Sequence, residues 1–306
     1  MTAARAGTLL LVLIGLVTLA APWLSTSDVS TQHPDRALAP PSTSRLVLLE
    51  RLPPTYRVLD ERLRLTWFAG TLVRSADPAE PLQPLGADSL GRDQWTRLLH
   101  GARLSLGLTL AGLMGAVSLG AFFGLLAGSS RAWLDTALMR FADLFIAWPA
   151  LYVVLVLRAS LPLTLPFASL FALMAFVLAM SGWPMVARAV RSVTASERTR
   201  ESILAAQAAG ATPAWIMRRH LLPAAAPVVV TQALLLVPSF ILAEATLSFV
   251  GLGFSEPTPS WGTMLTEAAQ PFTLRHAPWL LAPAAAIALV TLSVNLIAAR
   301  RRDVKW

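Results

Sequence analysis

Residues 205–223 read AAQAAGATPAWIMRRHLLP, a polar and basic stretch between two long apolar runs. Gly210 lies where a glycine commonly ends a helix. Thr212 followed by Pro213 supplies the N-cap and the first-turn proline of a second helix, which is expected to stop before Pro223. The stretch therefore predicts a helix, a glycine break and another short helix.

The helix before the break is expected to begin at a capping box. Thr194 and Glu197 have the required spacing, and a helix from there would run to Ala209. Because so short a helix is marginal in water, other parts of the protein must support it. Two interpretations are open: an amphipathic pair lying on the lipid surface, or a docking element for a cytoplasmic partner.

The chain around this stretch is far more apolar than a soluble domain. Of its 306 residues, 55% are hydrophobic and 14% are charged, and the mean hydropathy is +0.60, values typical of a membrane protein. The net charge is +8, but the excess arginines flank apolar segments, so we expect a lipid bilayer and no nucleic acid as the partner. The absence of cysteine excludes disulfides, thiolate metal sites and cysteine nucleophiles.

Apolar runs long enough to cross a bilayer define the fold class. A span needs roughly 20 apolar residues, and the sequence predicts an all-α, polytopic membrane protein with about six transmembrane helices. The first run also resembles a signal peptide, but its length favours a retained anchor. We expect a first helix in 1–24, an external segment in 25–102, and a five-helix core in 103–306 with a cytoplasmic loop at 188–225. The six runs are residues 7–24, 103–128, 138–158, 165–186, 226–248 and 278–298.

The arginines of the short loops predict the orientation. Positive charge is retained on the cytoplasmic side, so both termini are expected in the cytoplasm. The opposite side carries Arg158 and Arg275 in its short loops. The basic side carries Arg131, Arg140, Arg188, Arg191, Arg198, Arg200, Arg218, Arg219, Arg300, Arg301, Arg302 and Lys305.

Three glycines at four-residue spacing mark one face of the second span. Gly120, Gly124 and Gly128 would let a neighbouring helix approach closely. Ordinary bundle packing is favoured over a functional interface between helices.

Three polar residues in the spans require an explanation, because charged groups in a bilayer are costly. Asp143 lies near the cytoplasmic end of the third span and is expected to anchor it. Glu244 lies late in the fifth span, where structural hydrogen bonding is favoured over contact with a solute. Asn295 is expected to form a hydrogen bond between helices.

Three stretches together resemble a known family. Residues 84–106, PLGADSLGRDQWTRLLHGARLSL, and residues 241–265, ILAEATLSFVGLGFSEPTPSWGTML, are similar to signatures of the dipeptide, oligopeptide and nickel permeases of ABC importers. The short-helix stretch resembles the cytoplasmic EAA loop of these permeases, by which they dock on an ATPase. The residues that match this loop are Ala205, Ala206, Gly210, Ile216, Leu222 and Pro223.

The resemblance implies a type I ABC-importer permease fold and half of a translocation pathway. Its partners would be a homologous second permease subunit, two cytoplasmic ABC ATPase subunits and an external solute-binding protein. The implied substrate is a peptide first and a nickel chelate second. Leu204 replaces the glutamate of the EAA motif, and Ala87 stands where a threonine is usual.

Alternatives of other classes fit less well. The single lysine, Lys305, has no glycine-rich context, so this chain has no Walker loop and is not expected to be an enzyme. A proton-coupled secondary transporter using Glu244 would need inverted repeats or paired broken helices. A membrane hydrolase using Ser181 lacks a histidine base within any span. The histidines lie on separate loops, which argues against a metal site: His33, His100, His220 and His276.

Overall fold

Helices dominate the protein, as its computed structural model shows. Within the described residues, four helices are long and apolar enough to cross a membrane: Gln94–Ser129, Phe167–Arg198, Pro213–Phe249 and Pro278–Ala299. The structure describes residues 3–41, 56–57, 63–65, 74–75, 82–147, 150–160, 165–254 and 256–303.

The chain forms two compact units. The first comprises mainly Arg5–Gly107 and Glu244–Ser293, and the second mainly Leu108–Ala243 and Val294–Trp306. Each unit is assembled from segments that are distant in sequence.

The first unit begins with the predicted N-terminal span. Its helix α1 is shorter than the apolar run and is followed at once by a one-turn helix, α2, whose first turn contains Pro22. A 3-10 turn and three short antiparallel strands in the order β1-β2-β3 come next; Tyr56 pairs with Leu65, and Leu63 with Ser75. These elements are α1 (Ala3–Leu19), α2 (Ala21–Leu24), the 3-10 turn (Pro34–Arg36), β1 (Tyr56–Arg57), β2 (Leu63–Leu65) and β3 (Arg74–Ser75).

Helix α3 (Gln94–Ser129) starts well before the apolar run at 103. Asp93 caps it, because its carboxylate accepts the backbone amides of Trp95 and Thr96 at 3.2 and 2.9 Å. The segment after α2 is joined to this cap: Thr26 donates its hydroxyl to Asp93, and the Trp95 indole donates to the Leu24 carbonyl at 3.0 Å. The polar residues that open α3 therefore hold the N-terminal segment in the first unit.

Short helices of the first unit lead into the last span. Ser260 and Thr263 form a reciprocal capping box at the start of α10. The Trp261 indole, which is buried, donates to the Leu98 carbonyl of α3 at 3.2 Å. The elements are α10 (Trp261–Ala268), α11 (Pro271–His276), a 3-10 turn (Pro278–Leu281) and α12 (Ala282–Asp303), of which residues up to Ser293 belong to this unit.

The predicted span over 138–158 lies in the second unit. Two helices lie there, α4 (Ala132–Ala147) and α5 (Ala150–Ser160). Residues 148–149, between them in the sequence, lie outside the described residues.

Helix α6 (Phe167–Arg198) corrects the predicted capping box. Thr194 lies inside α6, where its hydroxyl bonds back to the Val190 carbonyl at 2.8 Å. Thr194 is buried, and a side chain added at Gly128 would meet its Cβ at 2.6 Å. Packing against α3 therefore keeps this residue helical, and the next helix begins only at Glu201.

The glycine face of α3 packs directly on α6. A Cβ at Gly124 would lie 2.6 Å from the Ala187 carbonyl oxygen, and one at Gly120 would lie 2.8 Å from the Trp183 carbonyl oxygen. Gly115 continues the face, with Ala179 as its neighbour at 2.7 Å. The predicted close approach of helices is confirmed, and it is a packing contact inside one chain.

Candidate functional site

The glycine break of the short-helix stretch has the geometry expected from the sequence. Helix α7 (Glu201–Ala208) ends in paired hydrogen bonds from Gly210 N to Gln207 O and from Ala211 N to Ala206 O, both 3.0 Å. This pattern is a Schellman motif. Gly210 has a φ of +84°, and a Cβ added to it would have no atom within 4 Å. Glycine is needed here for its backbone conformation, since there is space for a side chain.

The helix after the break also begins as predicted. Helix α8 (Pro213–Ile216) is capped by Thr212, whose hydroxyl accepts the Trp215 amide at 3.3 Å, and Pro213 occupies its first turn. The sequence signals of an N-cap and a first-turn proline are thus confirmed.

The predicted stop before Pro223 is wrong. A π-helical turn (Met217–Leu221) joins α8 to α9 (Leu222–Phe249), and Pro223 lies in the first turn of α9. The π turn shifts the hydrogen bonding, so that Leu222 N bonds to Met217 O. Pro223 has no backbone N–H, but in the first turn of a helix this group has no partner within the helix. The proline therefore does not stop α9.

We call residues 199–223 the coupling loop. One side of the coupling loop forms a small apolar core. Ile203, Ile216 and Leu221 are buried together, and Leu125 of α3 packs against them. Ile216, predicted as a docking residue, thus supports the loop from inside. Sequence reasoning missed Ile203, although an apolar residue in the first turn of a short helix is a recognisable core signal.

The other side of the coupling loop is apolar and exposed. Leu204 is 52% exposed and Trp215 is 48% exposed. Of the other predicted residues, Ala206 is half-buried, and those that are exposed are Ala205, Gly210, Leu222 and Pro223. The residue that replaces the motif glutamate, Leu204, therefore adds apolar surface to the exposed side.

Asp143 joins two helices of the second unit. Arg188 of α6 donates a hydrogen bond to its carboxylate, and Arg140 lies 3.8 Å away on its own helix. A second pair that sequence reasoning missed has the same form: Arg191 Nε donates to Asp135 Oδ1 at 2.9 Å. Arginines on α6 and aspartates on α4 thus bind these helices together.

Glu244 lies in a cluster of hydroxyl groups in the first unit. Its side chain is buried, and its two oxygens accept hydrogen bonds from Ser105 and Ser248, both at 2.8 Å. Ser105 in turn accepts the Trp261 amide at 3.1 Å, so the cluster connects α9 to α3 and to the start of α10. The arrangement satisfies a buried carboxylate by hydrogen bonds within the protein.

The structure also places Asn295 and Ser181, two further residues singled out from the sequence. Asn295 is exposed on α12, and among the described residues no hydrogen-bond partner of its side chain is found. The predicted interhelical bond is therefore not made by the described part of the chain. The Ser181 hydroxyl donates to the Leu178 carbonyl of its own helix at 2.9 Å.

The structure also forms an ion cluster that sequence reasoning did not predict. Asp88, Arg92, Arg97 and Glu256 meet in the first unit, with Arg92 Nη1 2.5 Å and Arg97 Nη2 2.9 Å from the Glu256 carboxylate. Burial alone would raise the pKa of Glu256, but the hydrogen bonds and charges of Arg97 and Arg92 outweigh it and lower that pKa below its usual value. The two arginines lie in the 84–106 signature, and Glu256 lies in the 241–265 signature.

Comparison with known proteins shows the family. Residues 120–302 match the family described as binding-protein-dependent transport system inner membrane component. The dipeptide transport system permease protein DppC of Alkalihalophilus pseudofirmus is 36% identical over 219 residues, covering 71% of this chain and 69% of the relative. The di/tripeptide transport system permease protein DppC of Pseudomonas aeruginosa is 32% identical over 301 residues, covering 98% and 86%.

A solved structure shows the same fold. A chain of the MetNI methionine ABC transporter, in an inward-facing conformation, aligns with a TM-score of 0.53 and 18% identity, over 68% of this chain and 96% of that one. The all-α permease fold predicted from the sequence is thus confirmed.

The family also decides between the alternatives raised by the sequence. Its members are multi-pass inner-membrane subunits that work with ATPase and solute-binding partners, and ATP is hydrolysed on separate subunits. The self-contained secondary transporter and the membrane hydrolase are excluded accordingly. The chain belongs to the inner-membrane permease components of binding-protein-dependent ABC importers.

Proposed function

We propose that the chain forms half of the translocation pathway of an ATP-driven importer of short peptides. The observation that carries this proposal is the 32% identity to a di/tripeptide transport permease over 98% of the chain. A homologous second permease subunit, two cytoplasmic ATPase subunits and an external solute-binding protein complete the transporter.

The proposed topology places both termini and the coupling loop in the cytoplasm. It is supported by the concentration of arginines in the 188–225 loop and the C-terminal tail. The chain has no cysteine, so a single introduced cysteine can be labelled without background. Cysteines at Ser202 and in the tail should react only from the cytoplasm, and one at Thr258 only from outside. Labelling of Ser202 and Thr258 from the same side contradicts the topology.

The coupling loop is proposed to dock on the ATPase through its exposed apolar side. A short helix that presents apolar side chains in this way is suited to a groove on a partner. Leu204 and Trp215 would make the contact, while Ile203 and Ile216 hold the loop in shape. Because the two sets of residues act differently, substitutions in them should have different effects.

Substitution of the two sides separates docking from folding. Trp215→Ala and Leu204→Ser should leave the permease stable in the membrane and reduce the amount of ATPase that co-purifies with it. Ile203→Ala, a buried matched control, should lower the stability of the permease itself. Unchanged ATPase retention in both surface variants would reject the docking role.

Two polar residues are assigned structural roles. Glu244 is proposed to fix the turn at Ser260 and Trp261, through Ser105 and Ser248. Asp143 is proposed to hold α4 to α6 through Arg188. Neither role requires contact with the transported solute.

Reconstitution tests the function as a whole. Proteoliposomes that contain both permeases and the ATPases, supplied with the binding protein, should take up labelled di- and tripeptides in an ATP-dependent manner. Uptake of a nickel chelate without peptide uptake would contradict the peptide assignment.

A further inference from the structure

Two buried arginines hold one carboxylate with all four of their terminal nitrogens. Arg92 Nη1 and Arg97 Nη1 lie 2.5 and 3.4 Å from Glu256 Oε2, and Arg92 Nη2 and Arg97 Nη2 lie 3.3 and 2.9 Å from Oε1. Each carboxylate oxygen therefore receives two donors. Paired guanidinium groups in this arrangement match the geometry of a carboxylate closely.

A buried aspartate orients the two arginines from behind. Asp88 Oδ2 lies 2.6 Å from Arg92 Nε and 3.5 Å from Arg97 Nε. Asp88 Oδ1 accepts the backbone amides of Leu90 and Arg92, both at 2.9 Å, so the aspartate is itself fixed. The terminal nitrogens of both arginines are thus directed to the same point before any ligand arrives.

The two sides of the cluster differ in their exposure to water. The side chains of Arg92, Arg97 and Asp88 are 5%, 2% and 1% exposed, whereas that of Glu256 is 51% exposed. Glu256 lies between α9 and α10, outside any helix. In an ion pair of a folded core, both partners would be withdrawn from water. Here a fixed cationic site faces a carboxylate that is half in solvent.

We propose that Arg92 and Arg97 form a binding site for the C-terminal carboxylate of the transported peptide, which Glu256 occupies when no peptide is present. A peptide carries the same chemical group, so exchange leaves the charge around the buried arginines unchanged. The displaced Glu256 side chain would return to water. The inference rests on the proposed function, both for the peptide substrate and for the external location of this cluster.

Removal of the internal carboxylate tests the site. A tethered group competes at an effective concentration in the millimolar range, so Glu256→Ala should strengthen the binding of free carboxylates by about tenfold. The assay uses the purified complex of permeases and ATPases without binding protein, titrated with Ala-Ala and, separately, with Ala-Ala amide. Ala-Ala should bind the variant more tightly than the wild type, and the amide should bind neither.

Glu267→Ala is the matched control. Glu267 is a carboxylate of the same unit that accepts the Ser89 amide at 2.5 Å and contacts neither arginine in the described structure. It should give no gain in affinity. Acetate should raise the melting temperature of the Glu256→Ala complex and leave that of the Glu267→Ala complex unchanged. If alanine prevents assembly, Glu256→Gln provides the same comparison with the side-chain shape retained.

Two results would overturn the proposal. They are equal binding of Ala-Ala and its amide by the Glu256 variant, and an equal gain in the Glu267 variant. Failure of the proposed function gives a different result. The wild-type transporter, even with its binding protein present, would then import neither dipeptides nor tripeptides.

Discussion

Two single variants, Gly124→Ala and Gly107→Ala, each add one methyl group to α3 and together test its packing on α6. At Gly124 a Cβ would lie 2.6 Å from the Ala187 carbonyl oxygen and 2.7 Å from Val190 Cβ. At Gly107, on the same helix, no atom lies within 4 Å of the added Cβ. A backbone carbonyl cannot rotate away as a side chain can, so the helices must separate at Gly124.

The expected magnitude follows from comparing the two variants. Replacing glycine by alanine favours a helix by roughly 1 kcal/mol, and this contribution is common to Gly124→Ala and Gly107→Ala. Overpacking, which costs about 1–3 kcal/mol, applies only to Gly124→Ala. The free energy of unfolding should therefore be lower in Gly124→Ala than in Gly107→Ala by about 1–3 kcal/mol.

Circular dichroism measures this difference. It follows the unfolding of each variant in mixed micelles as the fraction of denaturing detergent rises. Both variants must insert and be purified in equal amounts for the comparison to hold. A difference below roughly 0.5 kcal/mol, the range of ordinary surface substitutions, would refute the close contact between α3 and α6.

Three further predictions concern the coupling loop, the energy source and the ion cluster. Gly210→Val places a β-branched residue at a φ of +84°, at a cost of about 1–2 kcal/mol or more; membrane abundance should stay normal while ATPase co-purification and uptake fall, as pull-down and transport assays measure. The chain purified alone should hydrolyse no ATP above background in a phosphate-release assay, and robust hydrolysis would contradict the assignment. Because folding lowers the pKa of Glu256, the ionised carboxylate stabilises the wild type relative to Glu256→Gln. This stabilisation should be fully present above pH 4.5, the usual pKa of glutamate, and should be lost as the pH falls below it. Melting temperatures of the two proteins measured across pH test this expectation.

Local signals in the sequence were sufficient for much of the fold. Apolar length located the long helices, because a bilayer demands it of any spanning segment. Gly210, Thr212 and Pro213 each took the predicted position, since a left-handed cap, an N-cap and a first-turn proline depend on the residue and its immediate neighbours. The glycine spacing on α3 likewise predicted a close contact, without naming the partner helix.

Tertiary structure decided the features that depend on distant partners. Thr194 has the local pattern of a helix start, yet packing beside Gly128 keeps it within α6. Ile216, which matches the family's docking loop, is buried together with Ile203 and Leu221, and Leu125 packs against them.

The contact between Arg97 and Glu256 shows this dependence on distant partners most clearly. Arg97 and Glu256 are separated by 159 residues, and no pattern within either segment indicates that they meet. Residue type and short spacing determine caps, breaks and spanning lengths, because those depend on backbone conformation and on transfer into lipid. Which charges pair, and which apolar side chains are covered, depends on contacts that exist only once the segments are packed together.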